Sequence, residues 1–350
     1  MSLEGPVDRN DRFLRACRRE PVDRTPLWIM RQAGRYLPEY RALRERVDFL
    51  SLCKTPALAA EASVQPVQRF GLDAAIVFSD IMIPLEALGC RVTFDPGPRV
   101  TQPVRTRAQV EAMRAAPMAE MVPFVGEAIA LLRRELAEQV PVIGFCGAPF
   151  TLAAYLTEGK GGQGFGEVKR MMFAEPDTLT LLLETLADAM ADYLSFQIHS
   201  GAQAVQLFDS WAGILSPEDY RRFALPAARR VVERTKRADE PIIYFAPDTG
   251  HVLEDELSIG ADVLGLCWRT PIDQARRRTS ERVALQGNLD PHALLAPPEV
   301  VRERALAVLE AAADLPGHIM NLGHGILPQT PIESVTALVQ AVASRERSAA

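Results

Sequence analysis

The sequence predicts an α/β protein, a single (β/α)₈ TIM barrel with its cleft at the C-terminal ends of the strands. Two observations support this prediction. Eight short apolar runs alternate along the chain with longer stretches of helical periodicity. Five of the eight runs lead directly into polar or glycine-rich turns, which is where a barrel carries its functional side chains.

The candidate strands are nearly continuous in apolar residues, as is typical of strands that are buried on both faces. A doubly wound parallel sheet is the alternative, because a strand count taken from one sequence can be wrong by one or two. The eight runs are Leu27–Met30, Ala74–Phe78, Pro141–Cys146, Ala202–Phe208, Pro241–Phe245, Ala261–Cys267, Val283–Gln286 and His318–Leu322.

Amphipathic stretches between these runs predict the helices of the barrel. Some begin with helix-entry signals, such as Ser216 before Pro217 and Thr330 before Pro331. The predicted helices are Pro56–Phe70, Met118–Gln139, Asp177–His199, Pro217–Arg237, Pro297–Ala313 and Pro331–Ala343.

Length and composition favour one soluble domain. A chain of 350 residues can form one barrel or two smaller domains, and the strand pattern favours one domain over residues 1–350, with flexible tails at 1–9 and 344–350. No apolar run approaches the roughly 20 residues that cross a bilayer. Residues 1–11 lack the apolar segment of a signal peptide. We therefore expect a cytoplasmic protein that does not bind membranes.

Charge and cysteine content exclude further classes of protein. The net charge of −6 argues against nucleic acid as a partner. The five cysteines are scattered, and no C-x-x-C or Cys/His spacing suggests a disulfide framework or a zinc site. Only four of the 39 basic residues are lysines, so an anion site in this chain would use guanidinium groups.

Two arginines, Arg31 and Arg35, flank a turn directly after the first candidate strand. An arbitrary pair of arginines usually lies on the solvated surface. The position of this pair at a strand end, with Gln32 and Tyr36 as further donors, favours a carboxylate site. Guanidinium groups suit such a site because they bind a carboxylate through two parallel hydrogen bonds.

Asp80 lies between two apolar runs, Ile76–Phe78 and Ile81–Leu85. Such an acid is either a helix N-cap or a carboxylate with a chemical task. An ionised aspartate in apolar surroundings needs a cationic or N–H partner, which a substrate could supply.

Tyr155 and His324 are weaker candidates for the same cleft. Tyr155 opens a helix after the third strand, where a buried tyrosine with a satisfied hydroxyl is the usual case. His324 lies between two glycines that would let the backbone approach a ligand, although a structural histidine in a tight turn is the alternative.

The segment Gly159–Gly164 matches the pattern G-x-G-x-x-G without its structural context. No strand directly precedes it, and no second strand ends in an acid about 20 residues later, as a dinucleotide site requires. Lys160 is not followed by Ser or Thr, so the segment is not a phosphate-binding loop either. We interpret it as a flexible loop near the cleft.

Several motifs resemble those of the uroporphyrinogen decarboxylase family. Leu27–Arg41 closely resembles the first signature of that family, and Gly144–Leu152 resembles the second. The resemblance extends from about Asn10 to about Val342. Shorter matches are Phe78–Ile81, Gln286–Pro291 and Asn321–Ile326.

This resemblance implies a carboxy-lyase that converts uroporphyrinogen III to coproporphyrinogen III and CO₂ in haem biosynthesis, with a homodimeric barrel and no metal or prosthetic group. It implies that Asp80 is the essential acid, that Phe208 lines the cleft, and that Asp80, Arg31 and Tyr155 are catalytic. Substrate-binding roles fall on Arg31, Gln32, Ala33, Gly34, Arg35, Asp80, Tyr155, Ser210 and His324.

Three positions depart from the family pattern. Gln163 stands where a lysine is expected in the glycine-rich loop. Cys267 precedes Trp268 and Arg269 where the family usually has aspartate, and Ala246–Gly250 is an atypical loop after the fifth strand. These departures affect details of substrate contact rather than the predicted reaction.

The chemistry of the expected substrate explains why no cofactor is needed. Protonation of a pyrrole carbon gives a cation that accepts the electron pair as CO₂ leaves, so the protein needs a carboxylate beside the cation and arginines that hold the acid side chains. The sequence leaves the proton donor open between Arg31 and a bound water.

Two other functions remain as alternatives. Zinc-dependent methyl transfer, found in related barrels, is disfavoured because the chain has no H-x-C ligand pair. A tetrapyrrole carrier without catalytic activity would need the arginines but would have no use for Asp80.

Overall fold

A parallel β-sheet lies at the centre of the protein. The computed structural model describes residues 9–94, 97–113, 116–161 and 164–345. The strands are β1 (Ala75–Ile76), β2 (Val92–Thr93), β3 (Arg99–Val100), β4 (Val142–Gly147), β5 (Ala204–Phe208), β6 (Ile242–Phe245), β7 (Val263–Gly265), β8 (Ala284–Gln286) and β9 (His318–Ile319). Seven of them form one curled parallel sheet in the order β1-β4-β5-β6-β7-β8-β9, while β2 and β3 form a separate antiparallel hairpin.

The sheet confirms seven of the eight predicted strands. Each of its strands lies within the corresponding apolar run or, for β4, extends one residue beyond it. Nearly all residues of these strands are buried, which explains why they lack the alternation of half-exposed strands. The first predicted strand, Leu27–Met30, forms only an isolated parallel bridge between Leu27 and Met320.

Helices cover the outside of the sheet. They are α1 (Arg9–Cys17), α2 (Pro38–Arg46), α3 (Phe49–Lys54), α4 (Pro56–Phe70), α5 (Arg107–Ala112), α6 (Met118–Met121), α7 (Pro123–Glu135), α8 (Pro149–Glu158), α9 (Gly166–Ala174), α10 (Pro176–His199), α11 (Pro217–Asp219), α12 (Leu225–Arg234), α13 (Leu253–Glu256), α14 (Ile272–Thr279), α15 (Pro298–Ala311) and α16 (Ile332–Ala343). No helix of the described segments is both long enough and apolar enough to span a bilayer.

A proline divides one of the predicted helices. The stretch predicted as one helix over Met118–Gln139 forms α6 and α7, with Pro123 as the first residue of α7. Proline donates no backbone hydrogen bond and therefore fits the first turn of a helix better than its interior. The predicted helix Pro217–Arg237 is continuous from Pro217 to Arg234, with a π-helical turn over Tyr220–Ala224 between α11 and α12.

Parts of the predicted tails lie within the described residues. Arg9 begins α1, Ser344 caps the C-terminus of α16, and the N–H of Arg345 donates to the carbonyl of Val342 at 3.4 Å. Residues 1–8 and 346–350, which make up the rest of the predicted tails, lie outside the described residues.

The segment Leu27–Met30 contacts both edges of the sheet. On one side the N–H of Trp28 donates to the carbonyl of Met320 at 3.4 Å, and the N–H of Met320 donates to the carbonyl of Pro26 at 2.8 Å. On the other side the N–H of Asp73 donates to the carbonyl of Leu27 at 2.8 Å. The segment thus links β9 to the chain that leads into β1.

Asp73 fixes this link with its buried carboxylate. The side chain is 1% exposed and accepts hydrogen bonds from Arg12 at 2.7 Å, from Arg24 at 2.8 Å through each of two nitrogens, and from the N–H of Leu27 at 2.8 Å. Asp23 binds the same Arg12 at 2.6 Å through each of its oxygens. The cluster therefore joins α1 and the segment Leu27–Met30 to the start of β1.

Removing the charge of Asp73 should strongly destabilise the fold. We expect Asp73→Asn to lower the free energy of unfolding by about 3–5 kcal/mol, because it removes the buried charge that Arg24 binds and one of the two carboxylates that Arg12 binds. Urea denaturation measures this change. Asp188→Asn is the matched control, because Asp188 also contacts two arginines, Arg230 and Arg234, but is 41% exposed. Asp188→Asn should lower the free energy of unfolding by about 1 kcal/mol or less. Equal losses of stability in the two variants would contradict the proposed importance of burial.

Candidate active site

The predicted functional side chains meet at the carboxyl ends of the strands. Asp80 follows β1, Tyr155 lies in the helix after β4, and His324 follows β9. Their charges influence one another: the guanidinium of Arg31 lowers the pKa of Asp80, of Tyr155 and of His324. The sheet therefore brings these four residues close together at one end, as expected for polar residues that follow parallel strands.

The turn that carries Arg31 and Arg35 has an unusual backbone. Arg31 has a φ of +62°, in the left-handed region that non-glycine residues seldom adopt. Gly34 lies so close to this turn that a Cβ atom would stand 2.8 Å from the carbonyl oxygen of Arg31. Gly325 contacts the side chain of Arg31, since its Cβ would lie 2.4 Å from Cδ. Glycines on both sides thus give Arg31 its position.

Neither Arg31 nor Arg35 forms an ion pair with any acid of the described residues, and both are exposed. Within the same part of the chain, no hydrogen bond uses the backbone N–H groups of Ala33, Gly34 or Arg35. The turn therefore presents two free guanidinium groups and several free N–H donors at one end of the sheet, which is an arrangement suited to carboxylates.

The side chain of Gln32 points away from this donor set. It is fully buried, donates to the carbonyl of Ala74 at 3.1 Å and accepts from the N–H of Ile29 at 3.1 Å. Tyr36 is also buried and stacks on Phe70 with the ring centroids 6.4 Å apart. Both side chains belong to the core beneath the turn, so the donors facing the cleft come from the arginines and the backbone.

Asp80 lies in the turn before the 3₁₀ helix Ile83–Leu88, whose N-cap is Met82. Its Oδ1 accepts from the N–H of Met82 at 2.9 Å, and its carbonyl accepts from the N–H of Ile83 at 3.1 Å, so Asp80 stabilises this turn without capping the helix. Its Oδ2 accepts no hydrogen bond from the described residues. Burial raises the pKa of Asp80 to about 6, against the opposing effects of the Met82 N–H and the charge of Arg31.

Tyr155 is half-buried beside Asp80 and under the glycine-rich loop. Burial raises its pKa, and the nearby Asp80 carboxylate raises it further, so the hydroxyl is protonated at neutral pH. A Cβ on Gly161 would lie 2.7 Å from the Tyr155 ring, so this part of the loop packs directly on the tyrosine. Gln163 of the same loop lies outside the described residues.

Aromatic rings on β4, β5 and β6 contact one another and form an aromatic wall. Phe208 at the end of β5 contacts Phe145 edge-on with the centroids 5.6 Å apart, and contacts Phe245 at 6.1 Å. Phe245 in turn lies 6.3 Å from the ring of His324. The wall therefore connects Phe208 to His324 across the ends of three neighbouring strands.

His324 is a neutral imidazole at physiological pH. Burial lowers its pKa to about 4, and the positive charge of Arg31 contributes to the shift. Its Nδ1 accepts from the N–H of Gly325 at 2.8 Å, so the proton of the neutral ring is on Nε2. A Cβ on Gly323 would lie 2.3 Å from the backbone nitrogen of Trp268, which explains the glycine before the histidine.

Ser210 lies in the turn after β5 and is half-buried. The residues around it carry functional contacts that the sequence analysis did not assign. Asp209 is fully buried and bonds to Thr151, and Trp211 lies 6.1 Å from the ring of Tyr155. The sequence could have indicated Asp209, because it directly follows an apolar strand, as Asp80 does.

The loops that follow β6 and β7 contact each other through Asp248, Cys267 and Arg269. Asp248, in the loop after β6, forms an ion pair with Arg269, and its Oδ1 lies 3.4 Å from the Sγ of Cys267. The guanidinium of Arg269 also stacks over the ring of Trp268, 4.3 Å from its centroid. Arg269 therefore has a carboxylate partner, Asp248, from the neighbouring loop, and the residue at position 267 is a cysteine.

Across the described segments, no group of three or more His, Cys, Asp or Glu side chains is arranged to hold a metal ion. The hydrogen-bond donors at this site are guanidinium groups, backbone N–H groups, a phenol and an imidazole. Of the acceptors described above, the Oδ2 of Asp80 is the free one. This donor set suits an organic acid with several carboxylates.

Comparison with solved structures identifies the fold. A methyltransferase from Methanosarcina mazei superposes with a TM-score of 0.81 over 97% of this chain and 99% of that one, at 22% sequence identity. A putative vitamin-B12 independent methionine synthase from Listeria monocytogenes has a TM-score of 0.57 and 14% identity over 92% of this chain and 95% of that one. At these identities the likeness establishes a shared α/β fold and no shared activity.

Comparison with known sequences identifies the family. The family model described as uroporphyrinogen decarboxylase matches residues 8–345. The uroporphyrinogen decarboxylase of Pelobacter propionicus is 50% identical over 339 residues, which cover 97% of this chain and 100% of that protein. The enzyme of the same name from Geobacter metallireducens is 50% identical over 95% of this chain and 98% of that protein.

The fold and the family together define a carboxy-lyase of porphyrin biosynthesis built on a parallel α/β sheet. More narrowly, the chain belongs to the uroporphyrinogen decarboxylase family.

The raised pKa of Asp80 predicts a cost to stability at neutral pH. The folded protein binds this proton more tightly than the unfolded chain does, so the cost is absent at acidic pH, below the ordinary aspartate pKa, and complete above about pH 6. Asp80→Asn should therefore be more stable than wild type at pH 7, and this difference should shrink at pH 4. Thermal denaturation at both pH values measures it.

Asp80→Ala is the matched control, because alanine cannot accept the hydrogen bond from Met82 that asparagine can keep. It should be less stable than Asp80→Asn by about 0.5–1.5 kcal/mol, the usual net value of one hydrogen bond. A destabilised Asp80→Asn at pH 7 would show that the charge itself holds the fold.

Proposed function

We propose that this chain decarboxylates the acetate side chains of uroporphyrinogen III to give coproporphyrinogen III, with Asp80 stabilising the reacting pyrrole and the Arg31–Arg35 turn binding carboxylates. The observation that carries the proposal is an acid with a free oxygen close to the unpaired guanidinium of Arg31, which shares its turn with Arg35, in a chain of this family. Each group lacks the partner that this substrate would supply.

The reaction supplies its own electron acceptor. A proton added to a pyrrole carbon makes that ring cationic, and the electrons of the breaking C–C bond neutralise it as CO₂ departs. Protonation of the remaining exocyclic methylene then gives a methyl group, and the ring loses the added proton. Because the substrate accepts the electron pair, the proposed reaction needs no metal or prosthetic group.

In this proposal the carboxylate of Asp80 stabilises the positive charge that develops on the pyrrole ring. Its Oδ1 is held by the N–H of Met82, so the carboxylate has a fixed orientation before substrate binds. Its Oδ2 remains available to the pyrrole N–H groups. A buried negative charge stabilises a cation more strongly than a solvated one does, and it does so chiefly when the ring becomes cationic.

Arg31 and Arg35 hold acid side chains of the substrate, together with the free N–H groups of Ala33 and Gly34. Because neither arginine has an ion-pair partner among the described acids, substrate binding breaks no existing salt bridge. This local set of donors also explains how a chain of net charge −6 can bind a substrate with eight carboxylates.

The remaining site residues shape the cleft in this proposal. Phe208 faces the macrocycle as part of the aromatic wall, and Ser210 contributes polar groups at the end of β5. His324 acts as a neutral N–H donor because its pKa is lowered to about 4. Tyr155 stays protonated and donates its hydroxyl near Asp80. Gln32 contributes through the backbone of the turn, because its side-chain amide is engaged in the core.

The same proposal includes an eight-stranded barrel, a single domain and a homodimer. Leu27–Met30 acts as the eighth strand and closes the sheet into a (β/α)₈ barrel, supported by its hydrogen bonds to Met320 on one side and Asp73 on the other. Residues 1–350 form one domain. Membership of the family further supports a cytoplasmic homodimer that binds neither nucleic acid nor membranes.

Asp80→Asn tests the central role directly. The variant keeps the shape and can keep the hydrogen bond from the Met82 N–H, but it loses the charge, so single-turnover conversion of uroporphyrinogen to coproporphyrinogen should slow by at least about 10²-fold. Affinity for coproporphyrinogen should change much less, because the product has no ring cation. The assay is run in a chelating buffer for both proteins. Equal losses in rate and product affinity would mean that Asp80 only positions the ligand.

Arg35→Lys tests the carboxylate contacts. Lysine keeps the positive charge but loses the two parallel hydrogen bonds, so kcat/KM should fall by an amount equivalent to about 1–3 kcal/mol, with no loss of stability. Arg41→Lys is the matched control, since Arg41 is an exposed arginine of the same segment. If both variants match wild type, the turn does not bind the substrate.

A further inference from the structure

Asp209 is a fully buried acid directly beneath the cleft. It lies between Phe208 and Ser210 at the end of β5, and its side chain joins the two neighbouring strands. Its Oδ1 accepts from the hydroxyl of Thr151 after β4 at 2.7 Å, and its Oδ2 accepts from the hydroxyl of Tyr244 on β6 at 3.0 Å. Its own N–H donates to the carbonyl of Phe245 at 2.8 Å.

The hydroxyl of Thr151 connects Asp209 to the cleft surface. The hydroxyl of Thr151 donates its hydrogen to Asp209, so its oxygen is free to act as an acceptor. This oxygen accepts a hydrogen bond from the N–H of Trp211 at 3.1 Å. The ring of Trp211 contacts Tyr155 on one side, with 6.1 Å between centroids, and Phe165 on the other at 4.6 Å. The chain of contacts thus runs from a buried carboxylate to a side chain beside Asp80.

We propose that Asp209 is a positioning residue for the decarboxylation: it orients the Thr151 hydroxyl, which fixes the Ser210–Trp211 turn and thereby the ring against which Tyr155 packs. This inference rests on the proposed function, because it concerns the geometry of the same cleft. It adds Asp209, Thr151 and Trp211 to the residues that determine the rate, although Asp209 and Thr151 do not touch substrate.

The charge of Asp209 indicates that this residue does more than hold β4, β5 and β6 together. Asp209 has two hydroxyl donors but no salt bridge to a cation of the described residues, and burial raises its pKa to about 6. An apolar pair of similar size would join the strands without the cost of burying a charge. A carboxylate gives what an apolar pair lacks, which is a fixed direction for the Thr151 O–H bond.

The experiment compares three variants of the full chain in uroporphyrinogen decarboxylation. Thr151→Val removes the hydroxyl at nearly constant volume and should lower kcat/KM at least about 10-fold, because small displacements of positioned groups reduce rates strongly. Thr151→Ser keeps the hydroxyl and should retain activity within about 3-fold. Tyr220→Phe is the control, since it removes a buried hydroxyl that bonds to Tyr244 at 3.2 Å while leaving both bonds to Asp209 intact.

Melting temperatures of the same variants separate positioning from stability. The proposal requires Thr151→Val to lose activity at a temperature where it is fully folded, and Tyr220→Phe to keep activity even if its melting temperature falls. If Thr151→Val does not fold, Asp209→Asn replaces it, with the same loss expected. Activity that follows melting temperature in every variant, or full activity in Thr151→Val, would overturn the inference. Failure of the proposed function would instead appear as an inactive wild-type protein.

Discussion

The pairing of Asp73 with the segment Leu27–Met30 is the interaction on which the rest of the structure depends. Leu27 exchanges two hydrogen bonds with Asp73, one through the backbone and one through the carboxylate. The turn from Arg31 to Arg35 follows this segment directly, so its position relative to Asp80 is set at this joint. Two arginines neutralise the buried carboxylate, and without them an isolated charge at this depth would be unstable.

The cleft contains charges that the protein itself leaves without partners. The arginines of the first turn have no acid among the described residues, and Asp80 keeps one oxygen free. Each of these features costs stability, and a preorganised site for a charged ligand incurs this cost before the ligand arrives. Asp209 bears a similar cost one layer deeper, where its bonds to Thr151 and Tyr244 hold the floor of the cleft.

The fold by itself does not determine the reaction. The methyltransferase that superposes with a TM-score of 0.81 shares this fold, and one fold can carry many activities. In the sequence, Cys267 and the loop around Asp248 are about 20 residues apart and show no relation to each other. In the structure they are neighbours, since Asp248 binds both Cys267 and Arg269. A carboxylate from the next loop is therefore available to Arg269 at this position.

The hydrophobic pattern and the chemistry of single residues let the sequence determine seven parallel strands, the five longest helices and the candidates Asp80 and Arg31. Burial on both faces and polar residues at strand ends leave direct local signals for these features. The sequence could not show that Gln32 turns into the core, nor whether Asp80 is a helix cap. Asp80 lies in the turn before the 3₁₀ helix, whose N-cap is Met82. The bond from Gln32 to Ala74 and the bond between Asp209 and Thr151 join atoms distant in sequence, and only the packing of neighbouring strands brings such atoms together.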